Sequence, residues 1–202
     1  MFRLIRKIMS LMSNELSDVI LLQEFYFVRH GQTDANLQGI MCGGMWDLEL
    51  NQTGLTQAQV AAQRFKEKVK DLQRICVSPL KRAQQTAGYF SELYAHLPLE
   101  KIEELREWKI GSWEKALFES IKDDFLGTGE PEGGETRKQF RGRVHSALKI
   151  CQTKPGPFLM VSHGGVGLAL QEILGLAAAK VENCVPHHIF RSQLGCWKVE
   201  TI

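Results

Sequence analysis

A three-layer α/β/α domain, with a mainly parallel central sheet covered by helices on both faces, is the fold class this sequence predicts. Two observations carry it. Strand-like and helix-like segments alternate along the chain, which is the order a parallel sheet with crossover helices requires. Two apolar runs, Phe25-Tyr26-Phe27-Val28 and Phe158-Leu159-Met160-Val161, each lead into a His-Gly pair, His30-Gly31 and His163-Gly164. Each pair reads as a titratable tip on a buried strand. A cation and an imidazole leaving a hydrophobic strand together, as Arg29 and His30 do, need a partner, because an unpaired buried charge is costly. An anion is that partner.

Length and composition set the bounds. The 202 residues fit one domain with a substantial core, and 44% hydrophobic with 24% charged residues is a globular composition. A formal charge of +2 is too small for a nucleic-acid binder, so selectivity has to come from local charge. The five cysteines, Cys42, Cys76, Cys151, Cys184 and Cys196, form an odd set without CxxC spacing. That argues against a disulfide framework and a structural zinc site and for a reducing compartment, the cytoplasm. No apolar stretch approaches the length that spans a bilayer, so membrane association is not favoured.

Taken in order, residues 1–22 read as an N-terminal extension. Phe2, Leu4, Ile5, Ile8, Met9, Leu11 and Met12 interleave with Arg3, Arg6 and Lys7, as in a short amphipathic helix, although a poorly ordered extension or an upstream start before Met9 or Met12 is the favoured reading. Residues 23–202 read as a single domain. Its first strand is predicted over Glu24 to Arg29, followed by a glycine-rich loop from Gly31 to Asn51. A helix is expected from Thr56, with Gln59 completing a capping box and Ala61, Phe65 and Val69 on the buried side. A second short strand, Ile75 to Val77, leads into Ser78-Pro79, a helix start with proline at the first helical position. Leu80, Ala83, Ala87, Phe90, Tyr94 and Leu97 then follow at helical spacing.

The span from Lys101 to Trp113 reads as an extended segment or as a loop with aromatic anchors. Lys115 to Gly134, with Gly127, Gly129, Pro131, Gly133 and Gly134, reads either as a mobile connection over a site or as a surface loop. Phe140, Val144, Ala147, Leu148 and Cys151 outline a further helix, which Pro155-Gly156-Pro157 ends. Phe158 to Ser162 is the most strand-like run, Val166 to Leu174 fits a helix, and His188 to Val199 fits a terminal strand. His187 and His188, near Cys184, have poor zinc spacing and read as a strand-entry turn.

On this layout His30 follows the first strand, Arg82 lies in the first turn of the helix after the second, and His163 sits between strand and helix. Ligands of open parallel sheets bind beyond the carboxyl ends of the strands, where helix N-termini present free amides. The common tenant is phosphate.

The motifs Arg29-His30-Gly31-Gln32-Thr33, Ser78-Pro79-Leu80-Lys81-Arg82-Ala83, Glu107 and Ser162-His163-Gly164-Gly165 resemble the histidine phosphatase superfamily, which includes the cofactor-dependent phosphoglycerate mutases and many phosphomonoesterases. Asn36, Asp47, Leu55-Thr56 and Gly133-Gly134-Glu135 also fit, so the likeness runs from about Phe25 to at least Gly165. The resemblance implies a phosphoglycerate mutase-like fold and a phosphoryl transfer through a phosphohistidine on His30. Neutral imidazole is a competent nucleophile near pH 7. A phosphoryl transition state spreads charge over its equatorial oxygens, which Arg29, Arg82 and His163 would stabilise without a metal or another cofactor.

The resemblance further implies hydrogen bonds from Asn36 and the Gly164 amide, with Thr33, Cys42 and Gly43 on the substrate side. Cys42 lies in the loop that lines the entrance in the family, where a passive small residue is expected rather than a redox-active one. Glu107, in Glu104-Leu105-Arg106-Glu107-Trp108, matches the proton donor, a role that needs the carboxylic acid form at working pH. Glu103, Glu104 and Glu114 compete with it and are better explained as a solvated face.

Mutases carry additional arginines after the proton donor that grip a second acidic group. This chain has no arginine between Arg106 and Arg137. Lys109, Lys115 and Lys122 lack the planar fork that suits a carboxylate. Hydrolysis of a phosphomonoester, on a small molecule or a phosphoprotein, is therefore expected ahead of mutase chemistry, with a catalytically silent phosphate-binding protein as a third reading.

Overall fold

The structure, a computed structural model, describes residues 23–202, and the expectation for the N-terminal extension lies outside them. Six strands form one sheet in the order β3-β2-β4-β1-β5-β6. They are β1 (Phe25–Arg29), β2 (Arg74–Val77), β3 (Leu99–Lys101), β4 (Phe158–Ser162), β5 (His187–Arg191) and β6 (Trp197–Thr201). The pairs β1/β4, β2/β4 and β2/β3 are parallel, whereas β1/β5 and β5/β6 are antiparallel.

Among the described residues six α-helices accompany the sheet: α1 (Asp34–Leu37), α2 (Gln52–Lys68), α3 (Lys81–Leu93), α4 (Phe118–Leu126), α5 (Arg137–Cys151) and α6 (Gly164–Ile173). Alternation of side chains along the central strands sorts them into two cores. Phe25, Phe27, Cys76, Phe158 and Met160 face α5 and α6, meeting Phe140, Val144, Leu148, Val166 and Leu170. Tyr26, Val28, Ile75, Val77, Leu159 and Val161 face α2 and α3, meeting Ala58, Ala61, Phe65, Ala87 and Phe90. A strand buried on both sides reads as a continuous apolar run, which is why β1 and β4 stand out in the sequence.

The helix boundaries differ from expectation in instructive ways. α2 begins at Gln52 instead of Thr56, because the Asn51 side chain accepts the Gly54 N–H at 2.9 Å and supplies the cap; Thr56 lies inside, its hydroxyl bonded to the Gln52 carbonyl at 3.1 Å. The early start also seats Gly54 against the first loop: a Cβ on Gly54 would lie 2.1 Å from the Gln32 carbonyl oxygen, and one on Gly31 would lie 2.4 Å from the Gly54 oxygen. Only glycine allows that approach. Helix α3 begins at Lys81, two residues after Pro79, with the Asp47 carboxylate accepting the Lys81 N–H at 2.8 Å.

Further elements depart from the expectation or decide between the alternatives it left open. Lys115 to Gly134 contains the helix α4, whose Ile121 and Phe125 pack on the aromatic layer of Trp108 and Trp113. Lys101 to Trp113 is the anchored loop, carrying two short 3₁₀ turns, Glu103–Leu105 and Gly111–Trp113, with Trp108 stacked on Phe140 at 5.4 Å. The terminal segment is a hairpin, not a single strand: β5 and β6 pair antiparallel, and Gly195, at φ +78°, turns the chain between them. His187 and His188 lie within β5 itself; His188 stacks on Tyr26 at 4.8 Å. Among the described residues no helix is long and apolar enough to cross a membrane.

Candidate active site

Sheet register brings the distant motifs together. In the parallel pairing Arg29 is opposite Ser162 and Val77 is opposite Val161, so β1, β4 and β2 end almost level. The chain leaves them at His30, His163 and Ser78, and the His30 N–H still bonds the Ser162 carbonyl at 2.9 Å. Adjacent strands lie about 4.8 Å apart, and the two imidazoles stand side by side with ring centroids 5.1 Å apart. Both histidines are buried.

The hydrogen bonds of His30 fix its tautomer. Nδ1 lies 2.7 Å from the Gly31 carbonyl oxygen, which can only accept, so the ring proton is on Nδ1. Nε2 is then the lone-pair nitrogen, and the Nε–H of Arg82 donates to it at 3.2 Å. Burial, then the nearby Arg82 and Arg29 guanidinium groups, holds the imidazole well below the ordinary histidine range, against a smaller opposing effect of the Gly31 carbonyl. The loop carrying His30 is pinned from two sides. Thr86 accepts the Gly31 N–H at 3.0 Å, and the Asn183 side chain donates to the His30 carbonyl at 2.6 Å.

Arg82 is among the most buried large side chains of the protein. Besides His30, its guanidinium donates to the carbonyls of Trp46 at 3.2 Å and Gly43 at 2.8 Å. Gly43 thus acts through its backbone, at φ +57°. Glu114 holds the same loop from the other side, accepting the N–H groups of Met45 at 2.9 Å and Trp46 at 3.2 Å. Arg29 donates to the Val181 carbonyl at 2.9 Å and lies against the first residue of α6, where a Cβ on Gly164 would be 3.4 Å from its Nε. That Nε is buried without a hydrogen-bond partner among the described residues. Burial lowers both guanidinium groups from their ordinary value, and among the described residues neither forms an ion pair.

His163 shows the same incompleteness. Its Nε2 lies 2.6 Å from the Ser78 hydroxyl, while its buried Nδ1 has no partner among the described residues. Burial, followed by Arg82, His30 and Arg29, depresses its pKa as well. Glu107 reaches the same helix start: one carboxylate oxygen accepts the Gly165 N–H at 2.9 Å and the other accepts its neighbour's, Trp108 N–H, at 2.8 Å. Two of its competitors are occupied elsewhere, Glu103 in a surface pair with Arg106 and Glu114 in the loop clamp. Thus Arg29, His30, Arg82, Glu107, His163 and Gly164 converge.

The remaining sequence candidates sit on the rim or in support. Thr33 is the N-cap of α1, in a capping box with Asn36, whose Oδ1 accepts the Thr33 N–H at 3.2 Å and leaves the Nδ2 hydrogens to donate. Cys42 is buried against the Thr33 hydroxyl at 4.0 Å, and burial raises its thiol pKa. Of the three lysines, Lys115 lies over the Trp46 ring at 5.4 Å and Lys122 pairs with Glu119 at the surface. Lys109 lines a cavity of about 540 Å³ with Met45, Glu135 and Gln139, which contains none of His30, Arg82 or His163. Sequence reasoning read Ser78 only as a helix start and did not single out Thr86, Asn183 or the clamping role of Glu114. For Ser78 the signal was at hand, since it opens the motif that carries Arg82.

The chain is 36% identical over 151 residues to the uncharacterized phosphatase PhoE of Bacillus subtilis, covering 73% of this chain and 76% of that one. It is 30% identical over 201 residues to the probable phosphoglycerate mutase GpmB of Cronobacter sakazakii, covering 88% and 91%. Among solved structures, a mycobacterial glucosyl-3-phosphoglycerate phosphatase in complex with VO3 superposes with a TM-score of 0.73 at 28% identity, over 89% of this chain and 98% of that one. The family model of the histidine phosphatase superfamily (branch 1) matches residues 25–194, the span that carries His30, His163, Arg29, Arg82 and Glu107, and the chain belongs to that superfamily.

Proposed function

We propose that this chain is a phosphomonoester hydrolase that works through a phosphohistidine on His30. One observation carries the reading: two guanidinium groups, Arg82 buried and Arg29 partly buried, and an imidazole nitrogen without a partner surround a neutral histidine whose lone pair points among them, with no ion pair to either arginine among the described residues. A phosphoryl group supplies the missing negative charge.

In the first step His30 Nε2 forms a bond to phosphorus as the bond to the leaving oxygen breaks. The incoming phosphoryl oxygens draw the Arg82 N–H groups toward themselves and free the Nε2 lone pair. Arg29, Arg82, Asn36, the Gly164 amide and His163 receive the equatorial charge, and Glu107 protonates the departing alkoxide. The Gly31 carbonyl keeps the Nδ1 proton and steadies the cationic phosphoimidazole. Water then attacks phosphorus, gives its proton to Glu107, and returns His30 to its neutral form.

Hydrolysis is favoured over mutase chemistry because the segment after Glu107 supplies no arginine before Arg137 to retain a second acidic group. Small phosphorylated metabolites are the substrate class proposed, and charge at the site is supplied by side chains without a metal. The test is turnover of an aryl phosphate in EDTA, with trapping of an acid-labile, base-stable phosphoenzyme. His30→Ala lowers turnover by about four orders of magnitude and abolishes the trapped species. Persistent turnover in that variant, or full dependence on a divalent metal, sinks the mechanism. A mutase would require a bisphosphorylated primer, and a silent binding protein would retain phosphate esters without releasing phosphate. A panel of metabolite phosphates, glucosyl-3-phosphoglycerate among them, then ranks substrates.

A further inference from the structure

Arg143, on α5, donates no hydrogen bond to Arg29, His30, Arg82 or His163, yet every N–H of its guanidinium is engaged around the segment that carries Glu107. Nε donates to one oxygen of Glu135 at 2.7 Å, one terminal nitrogen donates to the carbonyls of Glu104 at 2.8 Å and Arg106 at 2.7 Å, and the other donates to the Glu107 carbonyl at 3.2 Å and to Glu135 at 2.6 Å. Both members of the Arg143–Glu135 pair are largely shielded from water, with side-chain exposures of 18% and 16%, and the guanidinium lies 5.1 Å from the Phe140 ring centre. Glu135 grips the following residues: its carboxylate accepts the Lys109 N–H at 3.1 Å, and its carbonyl accepts the Trp108 indole N–H at 2.7 Å.

The decisive contact is on one peptide plane. The carbonyl of Glu107 and the N–H of Trp108 belong to the same rigid unit. Arg143 holds the carbonyl end, and the N–H end donates to the Glu107 carboxylate. Rotating that plane removes one of the two backbone donors that aim the carboxylate, the other being Gly165 N–H.

We propose that Arg143, braced by Glu135, is a positioning residue for Glu107: it fixes the Glu107–Trp108 peptide plane and so the carboxylate that this plane orients. The inference rests on the reading of Glu107 as proton donor. It also gives the Gly133-Gly134-Glu135 motif a task that the phosphate cradle does not.

The test compares two esters in the full-length chain, dinitrophenyl phosphate, whose phenolate leaves without a proton, and glycerol phosphate, whose alkoxide requires one. The readout is the ratio of their kcat/KM values, which reports steps up to departure of the alcohol and does not depend on how much of the protein is folded. In Arg143→Lys the ratio moves at least about tenfold in favour of the dinitrophenyl ester, as expected for a misplaced proton donor. Glu107→Gln moves it the same way, and the double variant goes no further, because the two changes remove one function. Should Arg143→Lys fail to fold, Glu135→Gln takes its place with the same expectation. A ratio that shifts in Glu107→Gln but stays at the wild-type value in the Arg143 or Glu135 variant overturns the positioning role alone. A ratio unmoved in Glu107→Gln overturns the proton-donor reading, and the inference with it.

Discussion

The Nε–H of Arg82 caps the lone pair of His30 at 3.2 Å, so the proposed nucleophile is held by the group proposed to hold the phosphate. The same guanidinium is fixed by the Gly43 and Trp46 carbonyls, which leaves it little freedom to be replaced by another cation. A lysine ammonium has no planar fork to span an imidazole and two carbonyls. Arg82→Lys is therefore expected to lower kcat/KM on an aryl phosphate by about 10²-fold or more, the scale for losing a preorganised donor to developing charge. Protection against thermal unfolding by inorganic phosphate should fall with it, measured as the shift in Tm. A variant with wild-type kinetics would mean that Arg82 does not touch the reacting group.

On the proposed mechanism, Ser78 sets the tautomer of His163. Its hydroxyl accepts the Leu80 N–H at 3.3 Å and stands 2.6 Å from His163 Nε2. Donating its own hydrogen to Nε2 places the ring proton on Nδ1, the buried nitrogen without a partner, where it can donate to a phosphate oxygen. In Ser78→Ala the tautomer is no longer held. The expected result is a loss of about tenfold in kcat/KM, equivalent to about 1.4 kcal/mol, with Ser78→Thr recovering much of it. Equal loss in both variants would assign Ser78 to packing alone.

Gly165 keeps a space that Glu107 fills. A Cβ at this position would come within 2.4 Å of a Glu107 carboxylate oxygen, while the Gly165 N–H holds the other oxygen at 2.9 Å. Gly165→Ala must push the carboxylate aside by the better part of an ångström. Because a side-chain end yields rather than backbone, stability should change by less than about 1 kcal/mol. Activity on glycerol phosphate should fall by about 10²-fold. Steady-state kinetics and urea unfolding of the same preparation separate the two effects.

Legibility in the sequence followed the physics of each element. β1 and β4 were readable because both their faces are buried, and the α5 stripe of Phe140, Val144, Ala147, Leu148 and Cys151 is buried as predicted. The hairpin was not, because Ser192–Gly195 interrupts a run whose flanks are both strand-like, and no local rule says that the chain reverses there. Helix α4 was hidden by the glycines around it and by its shallow packing, for it has no fully buried residue. In the site, side chains that leave the ends of strands were legible because a polar motif follows an apolar run. Arg143 and Asn183 were not, since their partners are backbone carbonyls more than 30 residues away in sequence, fixed only by the fold.

The two site histidines should make stability depend on pH in a definite window. Burial and the neighbouring guanidinium groups hold His30 and His163 well below the ordinary value near 6.5, which both regain in the unfolded chain. Above that value both states are neutral at these rings, and the stability is fully present. As pH falls below it, the unfolded state takes up protons that the native state refuses, so stability drops, and the decline ends only once pH has passed the depressed native values. Each ring contributes a slope of up to about 1.4 kcal/mol per pH unit within the window. His187, lowered by burial against an opposing backbone hydrogen bond, adds to the same trend. Urea midpoints measured at neutral pH and at one and two units lower should therefore descend, and His163→Asn should flatten the descent by removing one of the contributing rings. If the variant keeps the full wild-type slope, His163 takes up protons equally in both states, and the cradle must already hold a negative charge next to it.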